Sequence, residues 1–168
     1  MKAYVVFARP KPWWMFLDDI FMWVEKTNFS HVAIVLEDID HGKHWVFESR
    51  WPKGRKIALG KWLQDYKVVS LELIDNNFNR YSNHYYDLIR MTEKPYSFSQ
   101  VLTIGWGLLF KAGGSKDWFL EVNGNKAKIC TELVSVFLNK VYGVELKKSP
   151  DMVGLYDVKL MVDGLKKG

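Results

Sequence analysis

The sequence predicts an α+β fold in which an antiparallel sheet packs against a helix that carries the chain's only cysteine. Residues 31–36 and 44–49 are rich in β-branched and aromatic residues and flank a polar segment containing Gly42, a pattern typical of a hairpin. After Cys130, apolar residues recur at helical spacing: Leu133, Val134, Phe137, Leu138 and Val141. These two patterns define the sheet and the helix of the predicted fold.

Length and composition predict one globular domain over residues 1–168. A chain of 168 residues that is 48% apolar and 26% charged is large enough to bury a core without disulfide or metal staples. A single cysteine excludes an internal disulfide, and a free thiol fits a reducing compartment better than secretion. The net charge of +5 comes from lysines and arginines spread along the chain, so no nucleic-acid partner is expected.

The elements can be predicted in chain order. Residues 1–8 predict the first strand, because the apolar run is too short for a signal peptide and meets Arg9 and Pro10 rather than a cleavage site. Residues 13–26 predict an amphipathic, aromatic-rich helix that begins near Pro12. The hairpin follows, and after it we expect a turn at 51–54, an extended segment at 55–59, a helical turn at 60–65, a strand at 66–74 and a helix within 76–90. The apolar run at 96–110 predicts a buried helix, because it is too short to span a bilayer. We then expect a loop at 112–116, a structured segment at 118–122, a turn at 123–125, the Cys130 helix, and a helix start at Ser149, Pro150 and Asp151.

The register of the predicted hairpin brings two polar residues together. If the turn centres near residue 40, residues 31 and 33 lie opposite 50 and 48, or opposite 48 and 46 in a tighter register. In either register His31 and Glu48 share a face and are direct or diagonal neighbours. A slip by one residue would put them on opposite faces.

Cys130 lies where a loop should become a helix. The unpaired N–H groups and positive dipole end of a helix start favour thiolate over thiol, and Lys126 and Lys128 act in the same direction. A nucleophilic cysteine also needs a base and a group that orients the base, which are the residue types of His31 and Glu48. The other interpretation is that Cys130 is a small apolar residue at the start of a core helix.

Other polar residues of the chain are alternative partners or ligands. His84 lies in a polar segment with no register argument, and Glu132 would point away from the thiol in a regular helix. The turn residues Asp38, Asp40, His41 and His44 include metal-binding types but lack the spacing that zinc or calcium sites need. The sequence therefore predicts neither a metal site nor a cofactor.

Three segments resemble one family of enzymes. Phe-Ser-His-Val-Ala-Ile-Val-Leu at 29–36, Trp-Val-Phe-Glu-Ser at 45–49 and Cys-Thr-Glu-Leu-Val at 130–134 resemble the permuted, YiiX-like branch of the NlpC-type papain-like cysteine hydrolases. In that branch the cysteine helix follows the histidine strand, as it does here. The resemblance implies a circularly permuted papain-like fold.

The same resemblance implies roles for four residues. Cys130 would be the nucleophile, His31 the base and Glu48 the orienting acid. Lys94-Pro95-Tyr96 is similar to the family's Gly-x-Pro-Tyr element, so Tyr96 would support the active site beside the cysteine. No metal or cofactor is implied.

The implied activity is acyl transfer through a thioester. The resemblance favours hydrolysis of an amide bond in bacterial cell-wall peptide. The lack of a signal-peptide pattern predicts a cytoplasmic protein or, if the chain is phage-encoded, a virion-associated one. Relatives of the lecithin:retinol acyltransferase type act on lipid esters, and the aromatic helix and apolar run make peripheral membrane contact an open alternative. A third interpretation is a catalytically silent virion-structural protein that keeps the fold.

Overall fold

A computed structural model describes residues 1–11, 19, 22–23, 26–50, 52–79, 81–95, 129–147, 149–150 and 153–166. Within this part of the chain, five strands form one antiparallel sheet in the order β4-β3-β2-β1-β5. The strands and helices whose full bounds lie within the described residues are β1 (Lys2–Pro10), β2 (His31–Asp38), β3 (Lys43–Glu48), β4 (Arg55–Ala58), α1 (Leu59–Asp65), β5 (Tyr66–Asp75), α2 (Asn83–Thr92), α3 (Cys130–Tyr142) and α4 (Leu155–Leu165). The predicted α+β class with an antiparallel sheet is confirmed.

The β2–β3 hairpin adopts the first of the two registers predicted from the sequence. Ile34 pairs with Phe47, and continuing by one residue places Ala33 opposite Glu48. A 3₁₀ turn closes the hairpin, and Gly42 follows it at a φ of +60°. This left-handed conformation costs least for glycine, which explains its position in the turn. His31 and Glu48 are therefore diagonal neighbours on one face of the sheet.

The two faces of the sheet bury separate apolar clusters, because side chains alternate along each strand. Ile34 and its even-numbered neighbours on β2 pack with residues of α3 such as Leu133 and Phe137. Ala33 and Val35 belong to the cluster on the other face, which contains Trp62 of α1 and Tyr66 of β5. The prediction that the sheet packs against the helix carrying Cys130 is confirmed.

Two predicted helices begin later than their sequence patterns suggest. The helix expected within 76–90 begins at Asn83, because the side chains of Asp75 and Asn79 accept nearby backbone N–H groups and hold turns before it. Ser82 then caps the helix by accepting from the backbone N–H of Tyr85 at 3.4 Å.

The last helix, predicted to start at Ser149-Pro150-Asp151, begins at Leu155. Its start is set by Asp157, whose carboxylate accepts the backbone N–H of Gly154 at 3.0 Å. Among the described residues, no helix has both the length and the hydropathy needed to cross a membrane.

Several predicted elements lie outside the described residues. These are the helix at 96–110, the loop at 112–116, the segment at 118–122 and the turn at 123–125. Only four residues of the predicted helix at 13–26 are described, among them Met22, which is buried, and Trp23, which is 77% exposed.

Candidate active site

Cys130 is the first residue of α3, as its sequence context predicts. Ile129 is the N-cap and makes no side-chain capping hydrogen bond, while its carbonyl accepts the N–H of Leu133 at 3.1 Å to close the first turn. The N–H groups of a first helical turn have no partner within the helix and lie at the positive end of its dipole. The thiol, at a residue that is 8% exposed, therefore lies beside groups that stabilise negative charge.

His31 and Glu48 form a buried hydrogen bond across the hairpin. The Nε2 atom of His31 lies 2.7 Å from Oε2 of Glu48. His31 is the first residue of β2 and Glu48, which is fully buried, is the last residue of β3. Because an ionised carboxylate only accepts hydrogen bonds, Nε2 carries a proton and Nδ1 remains available for another partner.

The Cys130 side chain also interacts with His31. Burial alone would lower the pKa of His31, but hydrogen bonds with Cys130 and Glu48 outweigh it and raise the pKa to about 10. Cys130 packs with the cluster that contains Ile34, whereas His31 contacts Tyr66 in the cluster on the opposite face. The thiol and the imidazole therefore meet at the end of the sheet where β2 begins.

The Glu48 carboxylate accepts two further hydrogen bonds. The indole N–H of Trp62 donates to Oε2 at 2.9 Å, and Nε of Arg55 donates to Oε1 at 2.6 Å. Burial alone would raise the pKa of Glu48, but the hydrogen bond and charge of His31, together with the bonds from Trp62 and Arg55, lower it to about 2. Glu48 is thus ionised although it has no exposed surface.

Aromatic rings fix the plane of the His31 imidazole. The ring of His31 stacks on that of Tyr66 with centroids 4.7 Å apart and an interplanar angle of 21°. Tyr66 stacks in turn on Trp62 at 4.5 Å and 14°. Burial raises the pKa of the Tyr66 hydroxyl, which keeps this ring neutral. The stack limits rotation of the imidazole while Nε2 is bonded to Glu48.

Two arginines converge on Asp65 at the outer side of this site. Nη1 of Arg50 lies 2.7 Å and Nη2 of Arg55 lies 3.4 Å from Oδ2 of Asp65. The hydrogen bond from Arg50 is the largest cause of the lowered pKa of Asp65. Arg55 thereby bridges two carboxylates, the buried one of Glu48 and the part-exposed one of Asp65.

Two buried hydroxyl groups belong to residues that are next to His31 and Cys130 in the sequence. Ser30 Oγ precedes His31 and Thr131 Oγ1 follows Cys130, and neither atom has a hydrogen-bond partner among the described residues. An unsatisfied buried hydroxyl costs roughly 1–3 kcal/mol. This is a cost that functional sites often carry, because such atoms can bind water or substrate.

The structure brings together Cys130, His31 and Glu48 but leaves Tyr96, the fourth predicted site residue, outside the described residues. His31 bonds with Glu48, so neither His84 nor Glu132 is needed as its orienting partner. The sequence interpretation missed Arg55 and Trp62.

The sequence carried a signal for one of the two missed residues. Arg55 is paired with Glu48 in the register of β3 and β4, so treating residues 44–58 as a second hairpin would have identified it. Trp62 reaches Glu48 from α1, and no spacing in the sequence indicates that contact.

The polar turn after β2 contains two close contacts between a histidine and a carboxylate. Nδ1 of His41 lies 3.0 Å from Oδ2 of Asp38, and Nε2 of His44 lies 3.7 Å from Oε1 of Glu37. In the parts of the chain that the structure describes, no group of three or more His, Cys, Asp or Glu side chains is arranged to hold a metal ion.

Comparison with known proteins adds no assignment. No family model matches the chain, and a search of the curated proteins found no match. The chemistry of the site is therefore inferred from its side chains. A cysteine at a helix start, a neighbouring histidine and a buried carboxylate bonded to the histidine can together generate and use a thiolate nucleophile.

Proposed function

We propose that this chain is a cysteine hydrolase that cleaves an amide bond through a thioester intermediate. Cys130 is the nucleophile, His31 the general base and acid, and Glu48 the residue that orients His31. The observation that carries the proposal is the hydrogen bond between His31 and a fully buried Glu48, together with Cys130 at the first residue of a helix and close enough to His31 to raise its pKa.

The reaction follows from the chemistry of these groups. The Cys130 thiolate attacks the carbonyl carbon, and backbone N–H groups at the start of α3 bind the oxyanion that forms. The C–N bond then breaks as the protonated His31 gives its proton to the leaving amine. In the second half, His31 takes a proton from water, the resulting hydroxide attacks the thioester, and the acid leaves as the thiolate and the protonated imidazole form again.

Glu48 acts on His31 and not on the substrate. Its negative charge stabilises the imidazolium that forms beside the thiolate, and its hydrogen bond to Nε2 leaves Nδ1 as the nitrogen that exchanges a proton with Cys130. The stack with Tyr66 restricts the ring in the same orientation. Tyr96 is proposed to support the site beside Cys130 on the basis of the resemblance of residues 94–96 alone.

The substrate we propose is a peptide of the bacterial cell wall, cleaved by a protein that is cytoplasmic or, if phage-encoded, carried with the virion. The resemblance of the histidine, glutamate and cysteine segments to the permuted NlpC-type papain-like hydrolases supports an amide over an ester. The net charge of +5 suits an anionic wall polymer and an anionic lipid surface alike.

A second candidate is hydrolysis or transfer of a lipid acyl ester at a membrane surface. The observation that favours it is Trp23, which is 77% exposed within a segment whose sequence predicts an aromatic amphipathic helix. Exposed tryptophan is common where a protein contacts the interface of a bilayer. The same Cys130, His31 and Glu48 would act on the ester carbonyl.

Alkylation of Cys130 tests whether the site is reactive. Iodoacetamide should react with the folded protein at neutral pH faster than with N-acetylcysteine, because the helix start and His31 favour the thiolate. Mass spectrometry locates the adduct, and Cys130→Ala should show none. A wild-type rate equal to that of N-acetylcysteine would contradict the enzyme proposal and favour a structural role for the fold.

Product analysis tests the substrate and the roles of the three residues. Purified sacculi should release cleaved stem peptides, whereas phospholipid vesicles should release no fatty acid; the opposite result favours the lipid candidate.

Cys130→Ala and His31→Ala should abolish turnover, and Glu48→Gln should lower kcat at least tenfold with little change in KM. If Glu48→Gln and a partly active His31 variant had additive effects, Glu48 would not act through His31.

A further inference from the structure

We propose that Arg55 is a positioning residue of this site, whose guanidinium keeps the buried Glu48 carboxylate ionised and in place so that His31 can stay protonated beside the Cys130 thiolate. The proposal rests on the proposed cysteine-hydrolase function and adds a fourth member to the row of interacting side chains. Arg55 acts through Glu48 and does not touch the reacting atoms.

The sheet itself brings Arg55 to Glu48. Glu48 is the last residue of β3 and Arg55 the first residue of β4, and the two are direct partners in the register of these antiparallel strands. The Nε–Oε1 distance is 2.6 Å. The carboxylate is fully buried, whereas the arginine side chain is 33% exposed. The cation therefore contacts both the buried anion and the protein surface.

Arg55 donates to a different oxygen of the Glu48 carboxylate from the other two donors. Oε2 receives the bonds from His31 and Trp62, and the described bond to Oε1 comes from Arg55. Trp62 is neutral, and His31 gains and loses a proton in the proposed reaction. Among these three donors, Arg55 alone is a permanent cation.

A permanent cation matters because an ionised carboxylate is costly to bury. Without a fixed positive partner, a carboxylate that has left water favours its protonated form or moves toward solvent. Either change would remove the negative charge that stabilises the imidazolium of His31. The thiolate of Cys130 would then lose its own counter-charge, which links Arg55 to a residue that it does not contact.

Neighbouring groups hold Arg55 in this position. Its Nη2 lies 3.4 Å from Oδ2 of Asp65, which is also bonded to Arg50. Gly54, the residue before it, donates its backbone N–H to the carbonyl of Lys94 at 3.1 Å and so anchors the connection between β3 and β4.

The charged and titratable groups around Glu48 come from several elements. His31 faces it from β2 and Arg55 from β4, the charge of Arg50 also interacts with it, and the Glu48 charge helps to keep the Tyr66 hydroxyl protonated. Asp65 lies behind the two arginines and Cys130 lies beyond His31. Arg55 is therefore the cation that contacts the Glu48 carboxylate directly and takes no part in proton transfer.

The pH dependence of Cys130 alkylation by iodoacetamide tests the proposal. In Arg55→Gln, the pH at which the rate reaches half of its maximum should rise by about one unit, in the range that loss of a close charge partner produces. Arg55→Lys keeps the charge and should stay within about 0.3 units of wild type. Circular dichroism confirms that each variant is folded.

Arg50→Gln is the matched control. It removes the same charge from the other arginine bonded to Asp65, and the described hydrogen bond of Arg50 goes to Asp65 and not to Glu48. We expect less than half of the shift seen in Arg55→Gln. Equal shifts in the two variants would overturn the proposal, since they would show a general effect of surface charge.

A double-mutant cycle tests whether Arg55 acts through Glu48. In a Glu48→Gln background, Arg55→Gln should no longer move the alkylation profile, because the carboxylate it would hold is absent. A shift as large as that in the wild-type background would overturn the proposal. If Arg55→Gln does not fold while Glu48→Gln/Arg55→Gln does, the unpaired buried carboxylate is the cause and the proposal is supported; if neither folds, Arg55 serves the fold and the proposal fails.

The result distinguishes this proposal from the proposed function. Slow alkylation of the wild-type protein at neutral pH would contradict the cysteine-hydrolase proposal itself. Fast wild-type alkylation with an unmoved profile in Arg55→Gln would leave that function in place and reject only the role of Arg55.

Discussion

Glu48 is the residue whose surroundings decide the chemistry of the site. A glutamate at the end of a short strand is usually exposed, and its substitution then changes stability by less than about 0.5 kcal/mol. Here the side chain is fully buried and accepts hydrogen bonds from His31, Trp62 and Arg55. Water therefore screens the attraction between this carboxylate and the imidazole only weakly, which allows Glu48 to stabilise an imidazolium.

The hydrogen bond between His31 and Glu48 should make stability depend on pH in two opposite ranges. The pKa of His31 is raised from 6.5 to about 10. The stability that this shift contributes to the folded protein is fully present below pH 6.5 and is lost as pH rises through about 10. The pKa of Glu48 is lowered from 4.5 to about 2, so its contribution is full above pH 4.5 and is lost as pH falls toward 2.

Urea unfolding of wild type and His31→Gln across this pH range measures the effect. The difference in unfolding free energy between the two proteins should be largest between pH 4.5 and 6.5 and should shrink on both sides. Subtracting the two curves removes the contribution of other carboxylates, including Asp65 and Glu72, whose pKa values are also lowered. A difference that does not change with pH would contradict the assigned charges.

The connection between β3 and β4 is the element that joins Glu48 to Arg55. Gly54 lies so close to the end of α2 that an added Cβ would be 2.4 Å from the carbonyl oxygen of Thr92. Lys53 also forms an isolated bridge with Pro95. The close approach of these two backbones places Arg55 at the start of β4, and it leaves no room for a side chain at position 54.

Gly54→Ala should destabilise the protein by about 1–3 kcal/mol, because the backbone of Thr92 cannot move aside as a flexible side chain would. Gly60→Ala is the matched control, since a Cβ at this helical position meets nothing within 4 Å. We expect the control to be neutral or to gain up to about 1 kcal/mol from helix propensity. Thermal unfolding of both variants measures this, and equal effects would contradict the packing at Gly54.

At the scale of the whole molecule, the site depends on the packing of both faces of one sheet. The cluster on one face fixes α3 and so places Cys130, while the cluster on the other face surrounds Glu48 and Tyr66. His31 connects the two, because its strand begins at the end of the sheet where they meet. The thiol and the carboxylate are thus held by separate parts of the core.

Leu133→Ala should destabilise the whole protein by about 2–5 kcal/mol, since this fully buried side chain packs between α3 and the sheet. Leu160 on α4 is 52% exposed, so Leu160→Ala should stay within about 0.5 kcal/mol of wild type. Denaturant midpoints followed by tryptophan fluorescence compare the two. A loss at Leu133 no larger than that at Leu160 would show that α3 is not part of the cooperative core.

Local patterns in the sequence determined much of the fold. Runs of β-branched and aromatic residues around a polar turn predicted β2 and β3, and alternation with period two predicted β5. The apolar spacing after Cys130 predicted α3 with the cysteine in its first turn. The length of the hairpin turn limited the register to two choices, and both placed His31 and Glu48 on one face. These features depend on residues close together in the chain, so their periods are visible in the sequence.

Only the tertiary structure decided what surrounds those residues. It selected the hairpin register, moved the starts of α2 and α4 to positions set by Ser82 and Asp157, and added Arg55 and Trp62 to the carboxylate. It also brought Cys130 to His31 across the end of the sheet. Contacts of this kind depend on how a helix, a strand and a loop from distant parts of the chain pack together, and such packing leaves no periodic trace in the sequence.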